Sequence, residues 1–333
     1  MDHNSIFSSL KSRIEPAYFF HGEEEFIKER ALEALENAAL GVSPRELNYS
    51  ALTAPFVPDI ITALETLPFM GEKRLVVCHD LRNIYEGVET LIKYFERFPS
   101  YACLVLYSKG NVDKRRSGVK QLMAACVEVK FDYLDEAEAA RWLVSTARRH
   151  GMRLSSSDAN HMVYLCGNRL LQLSGELDKL CSFAAGRSEI TRRDIDTVVT
   201  RSLESNVFRM IDLFIAGNSS DGLSMLSSML KDGERPIAMI GAAASKLRGL
   251  LEAARLLRRG FSPAAATSEM GGNYGARMSV SAAAGLSVEG IEKAVLELAS
   301  IDEGIKTGKL RDSAALELFL LTSLPRPRKA AAR

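Results

Sequence analysis

A chain of 333 residues exceeds the size at which one hydrophobic core usually stops growing, roughly 250–300 residues, so two or three packed domains are expected. With 47% hydrophobic and 26% charged residues it has the apolar content of a folding globular protein, which excludes the depleted-apolar signature of disorder. Lys+Arg 43 against Asp+Glu 42 leaves a formal charge of +1, so the whole molecule makes no electrostatic case for or against nucleic acid, and any DNA contact must be local.

In chain order, Met1 to Arg13 alternates polar and apolar residues without the continuous apolar core of a signal peptide. No run of about 18 apolar residues follows anywhere, so no membrane span and a cytoplasmic location are expected. Ala17-Tyr18-Phe19-Phe20, ended by His21-Gly22, reads as a buried strand stopping at a turn. From Glu23 to Leu40 the apolar residues Phe26, Ile27, Ala31, Leu32 and Leu35 recur at helical spacing, and Gly41 suits a C-terminal cap. Leu47 to Leu52 predicts a strand, Pro58 to Leu67 a helix, and Arg74 to Cys78 a strand rich in β-branched residues. Gly87 to Phe98 predicts a helix, Ala102 to Tyr107 a fully buried strand, Val119 to Ala125 a helix and Val127 to Phe131 a last strand. Strands that are continuously apolar and alternate with helices imply a parallel sheet covered on both faces.

After Tyr133 the strand signals stop. Asp135 begins a helix that ends at Gly151, Ser155 to Asp158 offer N-caps to a helix through Cys166, Leu170 to Ala184 forms another, and Thr191 caps a short one. Beyond Ser205 helices are predicted over 207–216, 220–231, 235–257, 263–270, 288–306 and 313–324, with a Gly- and Ala-rich loop between Gly271 and Gly285. The expected organisation is an α/β domain over 1–134, a small helical domain over 135–204, a larger helical domain over 205–324 and a disordered tail over 325–333.

The strand, glycine turn and helix around Gly22 lie where an α/β nucleotide-binding domain carries its phosphate loop. A working loop needs G-x-x-x-x-G-K-[ST], but Gly22 is followed by Glu23-Glu24-Glu25-Phe26, whose carboxylates repel a triphosphate, and no lysine stands at the helix start. The acidic pair that would hold magnesium at the end of the third strand is reduced to His79-Asp80, where Asp80 reads better as a turn former. Neither cofactor nor metal is expected: Cys78, Cys103, Cys126, Cys166 and Cys181 form no CxxC pair, and the five histidines have no ligand spacing.

Three segments carry a family resemblance: His21 to Phe26; Glu65-Thr66-Leu67-Pro68-Phe69-Met70-Gly71-Glu72-Lys73-Arg74-Leu75-Val76-Val77; and Gly167 to Leu180. Together they resemble the delta subunit of bacterial DNA polymerase III, and Asn206 to Asp212 and Asp302 to Gly308 look like its C-terminal domain. The resemblance implies a clamp-loader subunit with an AAA+-like first domain lacking a functional nucleotide site, a helical lid-like second domain and a helical collar domain. It implies no intrinsic enzymatic activity, within a DNA-directed DNA polymerase holoenzyme. The implied partners are the sliding clamp, the tau/gamma and delta prime subunits of a hetero-pentamer, and primed DNA within that complex. The implied clamp-binding element is Leu67, Pro68, Phe69 and Met70. The residues support it separately: Pro68 ends the helix and leaves Phe69 and Met70 on a turn before Gly71, either folded back over the sheet edge or presented to a partner's apolar pocket. Two rivals remain, an active AAA+-like ATPase and a helical nucleic-acid-binding adaptor. The second is suggested by Lys114-Arg115-Arg116, Arg148-Arg149-His150, Arg192-Arg193, Arg255, Arg258-Arg259 and the basic tail.

Overall fold

The structure is a computed structural model, and it describes residues 5–326. The tail expected over 325–333 therefore falls mostly outside the described residues. The chain divides between Leu134 and Asp135 into two compact units.

The first unit contains α1 (Ser5–Ser9), β1 (Ala17–His21), α2 (Glu25–Leu40), α3 (Arg45–Asn48), β2 (Tyr49–Thr53), α4 (Val57–Glu65) and β3 (Arg74–His79). It continues with α5 (Val88–Phe95), β4 (Ala102–Tyr107), α6 (Ser117–Ala125) and β5 (Val127–Lys130). All five strands are parallel, in the order β2-β3-β4-β1-β5. The central strands β1 and β4 are buried at every position, which is why their sequences run apolar without alternation. One face of the sheet presents Phe19, Val76, Cys78, Leu104 and Leu106 to Ile60 and Leu64 of α4, Leu91 of α5 and Leu122 of α6. On α2 the buried Ile27, Ala31 and Leu35 recur at i, i+4 and i+8, and this helix packs against β3. Strand order thus places β1 inside the sheet, with its C-terminal turn at Gly22 facing the start of α2.

The second unit is helical apart from one minimal parallel ladder. Its elements are α7 (Glu136–Arg149), β6 (Arg153–Leu154), α8 (Ser156–Cys166), α9 (Leu170–Phe183), β7 (Glu189–Ile190) and α10 (Arg192–Val198). Then come α11 (Leu203–Ile215), α12 (Ser219–Lys231), α13 (Pro236–Arg258), α14 (Pro263–Glu269), α15 (Tyr274–Ala283), α16 (Val288–Lys306) and α17 (Asp312–Thr322). The expected caps form: Asp135 and Glu138 make a reciprocal capping box on α7, Ser155 accepts from Asp158 N–H at 3.0 Å, and Thr191 closes a box with Asp194. The long α13 supplies Met239, Ala243, Leu247 and Leu250 to a core shared with α11, α12, α16 and α17.

Three sequence expectations are corrected. The loop expected between Gly271 and Gly285 is largely helix α15, started by Asn273, whose side chain accepts from Ala276 N–H at 2.7 Å, and held by the buried Ala276, Val280 and Ala283. The strand expected from Leu47 begins only at Tyr49, because one helical turn, α3, occupies 45–48. The ladder of β6 with β7 falls in a stretch read as wholly helical; two residues per strand are too few to show a period. Among the described residues no helix is long and apolar enough to cross a membrane.

Candidate functional site

At the end of β1 the chain turns at Gly22 with φ 121°, and a Cβ placed there would lie 2.1 Å from the carbonyl oxygen of Phe131. Only glycine fits so close an approach in that conformation. Its N–H donates to Gly110 O at 2.9 Å, tying the turn to the segment after β4. Helix α2 starts here, and its positive N-terminal end is answered by the chain's own carboxylates. Glu24 accepts from Phe26 N–H at 3.1 Å, and Glu25 lies in the first turn.

Glu25 is the hub of a closed network. Its Oε1 accepts from Gly110 N–H at 3.0 Å and from Lys28 at 2.7 Å, and its Oε2 accepts from Tyr107 Oη at 2.8 Å. Lys28 is fully buried and donates to Glu25, to Gly22 O at 2.7 Å and to Ser108 O at 2.8 Å, so its three N–H donors are all taken by protein oxygens. Burial pushes the Lys28 ammonium below its ordinary range against the pull of Glu25. For Glu25, burial works upward but is outweighed by the hydrogen bonds from Lys28, Gly110 and Tyr107, and the carboxyl sits below its usual value. Burial, with the bond to Glu25, raises the Tyr107 hydroxyl. At the end of β3, Asp80 adopts the left-handed conformation at φ 57° and pairs with Arg82 at 2.6 Å, which is turn geometry.

The second corner lies past α4. Pro68 is half-buried, whereas Leu67, Phe69 and Met70 are 70%, 54% and 78% exposed, so the side chains do not fold back over the sheet edge. The backbone beneath them is fixed. Asn48, fully buried, accepts from Phe69 N–H at 2.7 Å and donates to Phe69 O at 2.8 Å and Pro44 O at 3.1 Å, clasping Phe69 through both main-chain groups. Gly71 lies so near the α2–α3 connection that a Cβ there would sit 2.7 Å from Ser43 Cβ. Arg74, buried at the start of β3, donates to Ala63 O at 2.6 Å, Leu47 O at 2.8 Å and Ser50 Oγ at 2.9 Å, bracing the end of α4 against α3 and β2. Met70 is held at φ 51°, an uncommon conformation for a residue with a side chain and one that persists only when its surroundings enforce it.

Sequence reasoning missed three of these parts. Lys28 lies one turn inside the helix, beyond the position a phosphate-loop lysine occupies, and its only sequence signal is the i, i+3 spacing from Glu25. Asn48 falls inside the strand expected over 47–52, although an asparagine at the end of the turn that Pro44 begins is a cue for side-chain to backbone bonding. Nothing in the pattern marks Arg74 as buried.

Residues 18–131 match the family model described as DNA polymerase III, delta subunit, and residues 204–323 match DNA polymerase III delta subunit, C-terminal domain. The chain is 26% identical to "DNA polymerase III subunit delta" of Bacillus subtilis (strain 168), over 97% of each chain. It is 22% identical to "Probable DNA polymerase III subunit delta" of Aquifex aeolicus (strain VF5), covering 74% of this chain and 73% of the relative. Among solved structures it superposes on the Bacillus subtilis DNA clamp loader delta protein with a TM-score of 0.57 and 25% identity, covering 96% and 98% of the two chains. Fold and matches define a class: a clamp-loader subunit built from a parallel-sheet α/β unit and a helical unit. Within that class, the chain belongs to the delta subunit family of bacterial DNA polymerase III and is a component of that holoenzyme's clamp-loading machinery.

Proposed function

We propose that the chain grips the sliding clamp through Leu67, Pro68, Phe69 and Met70 and biases it toward an opened ring, with no ATP hydrolysis of its own. The observation that carries this reading is a loop whose backbone is clasped by Asn48 while three large apolar side chains stand in solvent. Apolar groups held in one conformation bind with little ordering cost, and an aromatic beside a methionine suits an apolar pocket. The clamp's equilibrium then shifts by the difference in affinity between its closed and opened states, so the work is binding work.

Absence of ATPase activity is supported by the Gly22 corner. The N-terminus of α2 is already answered by Glu24 and Glu25, and Lys28 has no donor left for a phosphate. The adaptor reading is weakened by the pairing of several basic clusters: Lys114 with Glu128, Arg115 with Asp113, Arg192 with Asp158, Arg255 with Glu292 and Arg258 with Glu289.

In the second unit, 135–204 acts in this reading as a lid-like segment and 205–324 as the collar that joins tau/gamma and delta prime in a hetero-pentamer around primed DNA. Helix α17 suits a collar: Leu316, Phe319 and Leu320 face its core while Leu318 and Leu321 are exposed. The setting is the cytoplasm, where chromosomal replication takes place. The test is clamp affinity of the Phe69→Ala/Met70→Ala double variant with circular dichroism as a folding control. Loss of about 100-fold is expected from truncating two interface anchors. Unchanged affinity would remove the assignment, and ATP turnover by the purified chain would remove its second half.

A further inference from the structure

The loop does not stand alone on its corner. Its two main-chain and close-packing ties, Asn48 to Phe69 and Ser43 to Gly71, both lead to the connection between α2 and β2. Next to Ser43 stands Val42, fully exposed, and next to Asn48 stands Leu47, 51% exposed. Two further apolar side chains are therefore carried by the segment that holds the loop. Scattered apolar residues on a surface need no explanation, but these flank the anchor and share its supports.

Carboxylates outnumber cations around this corner. Glu46 adjoins Leu47, Glu65 ends α4 and Glu72 follows Gly71; all three are exposed and none makes an ion pair among the described residues. Of the nearby cations, Arg45 pairs with Glu36 and lies 4.3 Å over the Tyr49 ring, and Lys73 donates to Ser100 O at 2.6 Å, which leaves the three carboxylates in excess of the one cation without a carboxylate partner among the described residues. An acidic rim around an apolar centre repels anionic lipid and nucleic-acid phosphate, and it repels a second copy of the same face.

We infer that the docking surface is a two-segment face, Leu67, Phe69 and Met70 with Val42 and Leu47, ringed by Glu46, Glu65 and Glu72, and that its occupant is a protein pocket apolar at its floor and basic at its rim. This rests on the clamp-gripping reading above and deepens it by giving the pocket's chemistry. The apolar pair from the α2–β2 connection prolongs the bound state, and the carboxylates accelerate encounter.

The test measures association and dissociation rates with the cognate clamp for three full-length variants beside the wild type: Val42→Ser/Leu47→Ser, Glu46→Gln/Glu65→Gln/Glu72→Gln, and Phe69→Ala/Met70→Ala. The serine pair is expected to speed dissociation about 10-fold. The glutamine triple is expected to slow association about 5- to 10-fold at low salt, with the difference vanishing near roughly 0.5 M salt as the charges are screened. Thermal melts check that each variant folds; should the serine pair melt early, the single Leu47→Gln variant replaces it. Wild-type rates in the serine and glutamine variants, with loss in the alanine pair, overturn this inference alone. Wild-type rates in all three overturn the clamp-gripping reading beneath it. Faster association of the glutamine triple also overturns the basic-rim assignment.

Discussion

Two corners of the first unit treat their side chains in opposite ways. At Gly22 the polar groups bond within the fold: Glu25, Lys28 and Tyr107 satisfy one another and the neighbouring main chain, and the helix end that could hold an anion holds carboxylates instead. At Phe69 it is the main chain that is satisfied internally, by Asn48, while Leu67, Phe69 and Met70 are left without a covering layer. The difference teaches where each corner's free energy goes. The first corner's interactions are complete within the fold and contribute to stability, whereas the second keeps its apolar surface unburied in the free chain and has it to spend on a partner.

That contrast can be broken most forcefully at Lys28. Replacing it with methionine removes the cation paired with Glu25 and the donor to Gly22 O and Ser108 O, and the urea midpoint should fall by an amount equivalent to about 3 kcal/mol. Clamp affinity should hold, and no ATP binding should appear by calorimetry, since the carboxylates remain. A gain of ATP binding would show that Lys28 alone closes the corner.

A smaller effect is expected at Asn48, which links stability to presentation. Asn48→Ala leaves the Phe69 N–H and C=O without their partner, costing about 1–2 kcal/mol in a denaturation curve. Clamp affinity should drop about 10-fold with all the apolar side chains still present, because the loop must then be ordered at the moment of binding. Full affinity in this variant would mean that the clasp is not needed for presentation.

The smallest effect sharpens the comparison with the second unit, where Asp194 is another internally satisfied carboxylate. Hydrogen bonds from Arg187, then from Thr191, outweigh burial and hold its pKa at about 2, below its ordinary 3.8. A depressed carboxyl contributes stability that is complete above the unfolded value and lost as pH falls through the folded one. Between pH 4 and pH 2 the wild type should therefore lose stability that Asp194→Asn does not lose. Parallel acid-melting curves for the two proteins would contradict the assignment.

How much of this was legible in the sequence follows from the size of each signal. Long apolar runs such as Ala102 to Tyr107 mark buried strands because burial on both faces leaves no alternation to misread. The Pro68 stop and the apolar pair after it were visible for the same local reason, that proline ends a helix. Whether Phe69 faced solvent was not legible, since that depends on Asn48, twenty-one positions earlier and read as part of a strand. Helix α15 was hidden by Gly271, Gly272, Gly275 and Gly285, although Ala276, Val280 and Ala283 keep a helical period beneath them. Arg74 looks like a surface cation in any window of sequence, Lys28 shows only its spacing from Glu25, and only the assembled fold supplies the carbonyls that bury them.

The most direct measurement is a titration of the purified wild-type chain with the fluorescently labelled clamp, carried out without nucleotide and repeated with ATP and magnesium. Saturable binding with the same affinity in both conditions is the expected result. No binding, or binding that appears only when ATP is present, would contradict a subunit whose grip is apolar and whose nucleotide corner is closed by its own side chains.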